Sequence, residues 1–270
     1  MSVLRAAFLI KVFIFYGLLA WCYKAVAAEA TIAVASNFIK PMAALVTEFE
    51  VLNSHKLQVV YGSSGRLYAQ ISNGAPFDVF MSADSLKPAR LIEAGYGVAG
   101  SQMTYAVGRL ALWSNKTGVG VNNEDVLWDE AFSAIAIANP SLAPYGLAAK
   151  QSLKSMGLWE RLKSKLVQGE SISQTYQFVF TANADVGFVS YSQLEIQNGA
   201  ENTNYWLIPS EYHEAITQDS VLLERGAGNK ASLEFIEFLK SDSAIKLIES
   251  FGYLRPLPRP AGKISPPEQK

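Results

Sequence analysis

Residues 57–94 read LQVVYGSSGRLYAQISNGAPFDVFMSADSLKPARLIEA and contain the clearest indication of the fold class. The apolar runs 57–61 and 79–82 predict short buried strands, and the amphipathic stretches 67–73 and 86–94 predict helices. Strands that alternate with helices in this way are typical of α/β layers with largely parallel sheets.

The same alternation continues on both sides of this stretch. Residues 31–35 and 134–138 predict two further buried strands, and residues 41–52 and 147–156 predict two further helices. The sequence contains no internal repeat and no heptad pattern. It therefore predicts an α/β protein throughout.

Two long, apolar, extended runs in the middle of the chain, 104–114 and 215–223, predict points at which the chain changes lobe. If both are crossovers, the first lobe is discontinuous and contains residues 29–108 and 216–256. The second lobe, residues 109–215, is then inserted into the first, and a cleft lies between them. A chain of roughly 240 residues is long enough for two lobes with a core each.

Residues 1–28 have the three-part layout of a secretory signal peptide. Arg5 stands near the start, an apolar run follows at 6–20, and small residues at 25–28 precede the expected cleavage. An uncleaved membrane anchor is the alternative, although the apolar run is short for a membrane span. A lipoprotein anchor at Cys22 is disfavoured because a bulky tryptophan precedes it. We therefore expect a periplasmic protein.

The composition of the remaining chain excludes several kinds of site. Cys22 is the only cysteine, so cleavage leaves no thiol for disulfides, catalysis or metal binding. Three of the 23 basic residues lie in the leader, so 20 remain against 24 acidic residues. Proteins that bind nucleic acid usually have a basic face, and an excess of acidic residues does not predict one. Residues 257–270 are rich in proline and polar residues and predict a disordered tail.

Four junctions between a strand and a helix share small or hydroxyl residues where the helix begins. They are 35–38 (ASNF), 61–66 (YGSSGR), 139–146 (NPSLAPYG) and 169–174 (GESISQ). The first N–H groups of a helix have no partner within the helix, and they carry a partial positive charge. Several such ends that converge therefore form an anion site without any lysine or arginine.

Each junction also has an ordinary structural interpretation. Serine and asparagine at 36–37 are preferred helix caps, and the segment 61–66 could be a flexible turn. Tyr145 could pack as an interface aromatic, and the segment 169–174 could be a simple cap. Arg66 is interpreted as a solvated arginine in a first helical turn, although it could also bias the local potential toward anions.

Four segments of the chain resemble the periplasmic molybdate-binding proteins of ABC transporters. They are TIAVASNFIKPMAAL (31–45), YGSSGRLYAQISNGAPFDVFMSADSLKPARL (61–91), AIANPSLAPYGLAAK (136–150) and TANADVGFVSYSQL (181–194). The segments follow the order of the family, and the second is the most specific. The resemblance implies a type II periplasmic-binding fold, in which each of two lobes is a mixed, mostly parallel sheet flanked by helices, with the ligand cleft between the lobes.

The resemblance also implies which residues hold the oxyanion. The matching residues are Ser36 and Asn37 in the first binding loop, Ser63 and Ser64 in the second, Tyr145 in the third, Ile172 in the fourth and Ser190 in the fifth. Tyr145 contributes its hydroxyl or its N–H, and Ile172 contributes its N–H because its side chain has no donor. Many family members have a tyrosine where this chain has Ser190, so the fifth contact departs from the pattern.

The chemistry of these loops favours a fully ionised dianion such as molybdate or tungstate. Hydroxyl and N–H groups donate hydrogen bonds, whereas hydrogen phosphate carries a proton that needs an acceptor. The nearest acids are Asp78, interpreted as structural, and Asp84, interpreted as a helix cap. Sulfate, thiosulfate and phosphate are the alternative ligands, because the sequence does not give a cavity size. A periplasmic serine hydrolase is disfavoured because no nucleophile motif surrounds the serines.

The resemblance finally implies how the protein works with others. It predicts a monomer that delivers molybdate or tungstate to an ABC permease in the inner membrane. It predicts neither enzyme activity nor a cofactor, and molybdenum is expected only as the oxyanion. His55 and His213 are the only histidines, so a histidine-rich metal cation site has little support. A sensory domain that keeps the fold without an importer is a further alternative.

Overall fold

The structure, a computed structural model, describes residues 27–116, 118–129, 132–194 and 204–256. The predicted signal peptide lies outside these ranges except for Ala27 and Ala28, and the predicted tail at 257–270 lies wholly outside them. Within the described ranges, no helix combines the length and the apolar character that a membrane span requires.

The first of two sheets contains five strands, which are β1 (Glu29–Ala35), β2 (Lys56–Gly62), β3 (Val79–Met81), β4 (Met103–Gly108) and β10 (Ile216–Leu222). Their spatial order is β2-β1-β3-β10-β4. β1 is parallel to both β2 and β3, whereas β10 is antiparallel to β3 and β4. We call this sheet and its helices the first lobe.

The second sheet contains β5 (Leu110–Trp113), β6 (Ile135–Ala138), β7 (Leu166–Gly169), β8 (Val186–Ser190) and β9 (Tyr205–Leu207). Their order is β7-β6-β8-β5-β9. β6 is parallel to β7 and β8, whereas β5 is antiparallel to β8 and β9. We call this sheet and its helices the second lobe.

Helices flank both sheets. In chain order they are α1 (Ile39–Leu52), α2 (Ser64–Ser72), α3 (Leu86–Glu93), α4 (Pro144–Ser155), α5 (Trp159–Leu162), α6 (Ile172–Phe180), α7 (Lys230–Phe238) and α8 (Asp242–Ser250). Short 3-10 turns lie at Ser36–Phe38, Glu124–Trp128, Lys163–Lys165, Tyr191–Gln193, Ser210–Tyr212 and Glu224–Gly226. The helices α4, α5 and α6 belong to the second lobe.

Each lobe has its own apolar core. In the first lobe the buried rings of Phe49 and Phe235 meet edge to face, with centroids 5.6 Å apart. In the second lobe Trp113 stacks on Tyr176 with centroids 4.9 Å apart. Burying a side chain of this size stabilises the fold by about 1.5–3 kcal/mol. These cores fix the strand ends from which the candidate binding loops emerge.

Three helices begin earlier than the sequence predicted, which is a correction to their starts. The helix predicted at 67–73 starts at Ser64, and the helix predicted at 147–156 starts at Pro144. A 3-10 turn that starts at Ser36 precedes α1. The helical spacing of apolar residues does not extend to these starts, because they consist of small residues and proline. Proline suits the first turn of a helix. The consequence is that Ser36, Ser64 and Tyr145 lie in first turns, where N–H groups have no partner within the helix.

The predicted extended run 104–114 is divided between the lobes. β4 ends at Gly108 in the first sheet, and β5 begins at Leu110 in the second. Gly108 is required there, because a Cβ atom would overlap the Tyr145 hydroxyl. The predicted fold class, two lobes with mixed sheets flanked by helices, is confirmed. The exact lobe boundaries stay a prediction.

Candidate functional site

A small cavity lies between the two lobes. Its lining residues are Ala35, Ser36, Asn37, Ser63, Ser64 and Ala83 from the first lobe and Ala143, Pro144, Tyr145 and Ile172 from the second. The volume of the cavity is about 10 Å³, roughly the room that one water molecule needs. Clefts that hold drug-sized ligands measure roughly 300–1,000 Å³, so this cavity suits a small inorganic ion better than a sugar or a peptide.

Ser36 presents an unsatisfied hydroxyl. It follows β1 directly and opens the 3-10 turn, and its side chain is only 4 % exposed. Among the described residues, its Oγ atom has no hydrogen-bond partner. Leaving a buried polar group unpaired costs about 1–3 kcal/mol. A ligand with an acceptor oxygen in the cavity would remove that cost.

Asn37 turns its side-chain donors away from an incoming ligand. Its Nδ2 atom donates to Gln218 Oε1 at 2.8 Å and to the Tyr253 hydroxyl at 2.9 Å. An amide nitrogen has two hydrogens, and both are therefore used. The group that Asn37 has left to donate is its backbone N–H, at the start of the 3-10 turn.

Ser64 has a hydroxyl proton to offer. Its Oγ atom accepts the N–H of Ala83 at 3.0 Å, which uses a lone pair and not the proton. Ser63 precedes α2 in an extended conformation, and its side chain makes no capping hydrogen bond. Both serines are buried at the N-terminus of α2, where the helix dipole favours negative charge.

Tyr145 has two possible donors, its backbone N–H and its hydroxyl, and they lie at different places. It is the second residue of α4, so its N–H lies in a first turn beside the cavity. Its hydroxyl accepts from Gln218 Nε2 at 3.1 Å and lies beside the hydroxyls of Ser190 and Tyr253. Burial, the largest cause, raises the pKa of the Tyr145 hydroxyl well above its ordinary value. The phenol therefore stays neutral at physiological pH.

Ile172 is the first residue of α6 and is 3 % exposed. Ser171 caps this helix, because its side chain accepts the N–H of Gln174. The capped helix directs its remaining first-turn N–H groups outward. Because an isoleucine side chain has no donor, only the N–H of Ile172 can serve a ligand. α6 also packs against the 3-10 turn that begins at Ser36.

Ser190 is not among the residues that line the cavity. It is fully buried, its Oγ atom bonds Ser192 Oγ at 2.8 Å, and its N–H donates to Gln193 Oε1 at 3.0 Å. Its hydroxyl also lies beside those of Tyr145 and Tyr253. Ser190 therefore lies behind the cavity, and its expected role as the fifth contact stays a prediction.

A polar network that the sequence did not predict lies behind the cavity. Gln218 is its centre, because Gln218 Oε1 also accepts the hydroxyl of Tyr105 at 3.0 Å. Tyr253 donates to the carbonyl oxygen of Asn37 at 3.0 Å and lies 2.9 Å from Ser192 Oγ. The signal available in the sequence was a glutamine inside the apolar run 215–223. A polar residue there needs buried partners.

No lining residue of the cavity carries a formal charge. Asp78 is structural as predicted, since it accepts from the N–H of Thr31 and pairs with Arg225. Asp84 accepts the N–H of Lys87 in the first turn of α3, as predicted for a cap. Over the residues that the structure describes, no group of three or more His, Cys, Asp and Glu side chains could hold a metal ion.

Arg66 is a surface residue, as interpreted from the sequence. It is 65 % exposed and pairs with Glu170 of the second lobe, with 3.7 Å between Nη1 and Oε2. Exposed pairs of this kind contribute only about 0–1 kcal/mol. Arg66 is not among the residues that line the cavity.

A family model and several known proteins match most of this chain. The family model for bacterial extracellular solute-binding proteins matches residues 30–254. The molybdate-binding protein ModA of Azotobacter vinelandii is 45 % identical over 227 residues, which cover 84 % of this chain and 90 % of ModA. ModA of Rhodobacter capsulatus is 42 % identical over 230 residues, which cover 85 % and 90 %.

A solved structure agrees with these relatives. The periplasmic molybdate-binding protein of Azotobacter vinelandii superposes with a TM-score of 0.81 at 36 % identity. The superposition covers 84 % of this chain and 100 % of that one. The match to the family model at residues 30–254 extends over both lobes and over all four junctions.

Proposed function

The chain belongs to the family of bacterial extracellular solute-binding proteins, and we propose that it captures molybdate for an ABC importer. It is a transport component and not an enzyme. One observation supports the proposal, namely an uncharged cavity between the lobes whose wall includes the buried hydroxyl of Ser36, which has no partner in the described part of the chain.

The donor set suits a fully ionised tetrahedral dianion. Hydroxyls of Ser36, Ser63 and Ser64 can donate from one side, and the N–H groups of Tyr145 and Ile172 from the other. A dianion needs donors alone, whereas hydrogen phosphate also needs an acceptor. A cavity without an acid offers the phosphate proton only hydroxyl or carbonyl oxygens, which are weaker acceptors than a carboxylate, and this is a mechanism for disfavouring phosphate.

The negative charge of the bound dianion is offset without a cation. The cavity borders the N-termini of α2, α4 and α6. Aligned peptide dipoles at such ends stabilise an anion. Desolvation also strengthens each of these hydrogen bonds, because the surrounding dielectric constant is low. We assign Asn37 a contact through its N–H and Ser190 a supporting place behind the cavity.

Binding is coupled to closure of the lobes. We assign residues 29–108 and 216–256 to the first lobe and residues 109–215 to the second. Because the donors come from both lobes, the ligand favours the closed state selectively and shifts the population toward it. The closed protein would then dock on a permease in the inner membrane. We propose that it travels as a monomer, in the periplasm, after cleavage of the leader.

Isothermal titration with molybdate, tungstate, sulfate and phosphate tests the proposal. We expect heat with molybdate and tungstate and none with phosphate. Sulfate is the sharpest competitor because it has the same shape and charge but a smaller radius. Heat with phosphate and none with molybdate would overturn the assignment.

A further inference from the structure

Gly65 joins the two lobes directly. It is the second residue of α2 in the first lobe, and its N–H donates to the carbonyl oxygen of Leu142, 2.8 Å away. Leu142 belongs to the loop between β6 and α4 in the second lobe. A first-turn N–H of one lobe is thus satisfied by a carbonyl of the other, so the bond exists only when the lobes are together.

The approach at Gly65 leaves no room for a side chain. A Cβ atom there would lie 2.9 Å from both the Cα atom and the carbonyl oxygen of Leu142. These are backbone atoms, which cannot rotate away as a flexible side chain can. Gly62 in the same GSSG motif is different, because its Cβ atom would meet only the Leu67 side chain of its own lobe, at 3.2 Å.

The contact borders the cavity on both sides. Ser63 and Ser64 precede Gly65, and Ala143 and Pro144 follow Leu142, and all four line the cavity. The separation of Gly65 and Leu142 therefore sets how far apart the donors of the two walls stand. A separation of a few tenths of an ångström more would lengthen hydrogen bonds from one wall or the other.

We infer that Gly65 is a positioning residue that sets the closest approach of the lobes and thereby the width of the oxyanion site. The inference rests on the proposed function. It does not require Gly65 to touch the ligand. Any side chain at this position holds the cavity open, although every ligand donor is still present.

The helical context of Gly65 makes the inference testable. Alanine is favoured over glycine inside a helix, so Gly65→Ala should stabilise α2 in the open state while it obstructs the closed state. A purely structural residue would behave differently, since its loss lowers the stability of the ligand-free protein. Affinity and ligand-free stability are thus expected to move in opposite directions.

The matched control is Gly228→Ala in the first lobe, where a Cβ atom would meet nothing within 4 Å. Wild type and both variants are titrated with molybdate, melted without ligand and measured by small-angle scattering with and without molybdate. We expect Gly65→Ala to lose affinity on the order of ten-fold or more, because the overlap is with backbone. Its ligand-free melting temperature should equal or exceed that of wild type, and its radius of gyration should shrink less on addition of molybdate.

Two outcomes would overturn the inference. One is wild-type affinity in Gly65→Ala, and the other is a loss of affinity together with a lower ligand-free melting temperature. Gly65→Val extends the series and should bind still more weakly. If wild type binds tungstate or sulfate but not molybdate, the proposed ligand is wrong, and the same variants are measured with the anion that binds. If wild type binds none of these anions, both the function and this inference fail.

Discussion

The two walls of the cavity supply their donors in different ways. The first-lobe wall presents serine hydroxyls, whereas the second-lobe wall presents backbone N–H groups at two helix starts. Among the lining residues of the second wall, the one polar side chain is that of Tyr145, and its hydroxyl accepts from Gln218. Side-chain donors can be deleted by substitution, but a backbone donor is lost only to proline. The second wall should therefore tolerate changes of side chain that the first wall does not.

The largest effect is expected when a backbone donor is removed. Ile172→Pro deletes the N–H of Ile172, and proline is tolerated at the first position of a helix. Ser171, which precedes it, is already extended at φ −141 and ψ 163, as a residue before proline requires. We expect molybdate affinity to fall by about 3 kcal/mol, the upper range for a hydrogen bond to a charged group.

Ile172→Val is the matched control, because it keeps the N–H and changes only the side chain. Its affinity should stay close to that of wild type in the same titration. If Ile172→Val binds as weakly as Ile172→Pro, the side chain matters more than the backbone, and the contrast between the two walls does not hold.

The second-largest loss of molybdate affinity is expected at two serines of the first-lobe wall. Ser64→Ala should cost about 2 kcal/mol of affinity, and it should also lower the ligand-free melting temperature, since Ala83 loses a partner. Ser36→Ala should lower affinity by a similar amount without lowering the melting temperature, because the Ser36 hydroxyl has no partner among the described residues. Calorimetry and thermal melts of both variants give the comparison. Equal thermal losses would show that the Ser36 hydroxyl is paired in the ligand-free protein.

A smaller effect distinguishes the two donors of Tyr145. Tyr145→Phe removes the hydroxyl and keeps the ring and the N–H. If the N–H serves the ligand, affinity should change by less than about 1 kcal/mol, the net worth of a neutral hydrogen bond such as that to Gln218. A loss well above that value in the titration would mean that the hydroxyl reaches the oxyanion.

The smallest effect concerns charge at the edge of the cleft. Arg66→Gln removes the exposed pair with Glu170 and should change affinity by less than about two-fold. Affinity measured from low to moderate salt should also change little, because the enclosed donors are neutral. A steep salt dependence that disappears in Arg66→Gln would instead assign the attraction to the guanidinium.

The sequence predicted well what depends on local pattern. Apolar runs of four or five residues located β1, β2, β3 and β6, because buried parallel strands are continuously apolar. The hydroxyl-rich junctions located Ser36 and Ser64, because helix starts select such residues. These features depend on residues that are neighbours in the sequence, so a single sequence is enough to predict them.

What the sequence did not predict depends on contacts between distant residues. Gln218 and Tyr253 meet Asn37 across more than 180 positions, and no local pattern connects them. The direction of the Tyr145 hydroxyl also depends on Gln218, which lies 73 positions away. Position 65 has no room for a side chain because the Leu142 backbone of the other lobe lies against it. Tertiary packing determines all three.

The most direct test is a crystal structure of the protein with molybdate, in which the anomalous signal of molybdenum locates the anion. We expect one molybdenum in the cavity, with its oxygens within hydrogen-bond distance of Ser36 Oγ, Ser64 Oγ and the N–H groups of Tyr145 and Ile172. A molybdenum held by one lobe alone, or by a charged side chain, would show that neutral donors from both lobes do not share one dianion.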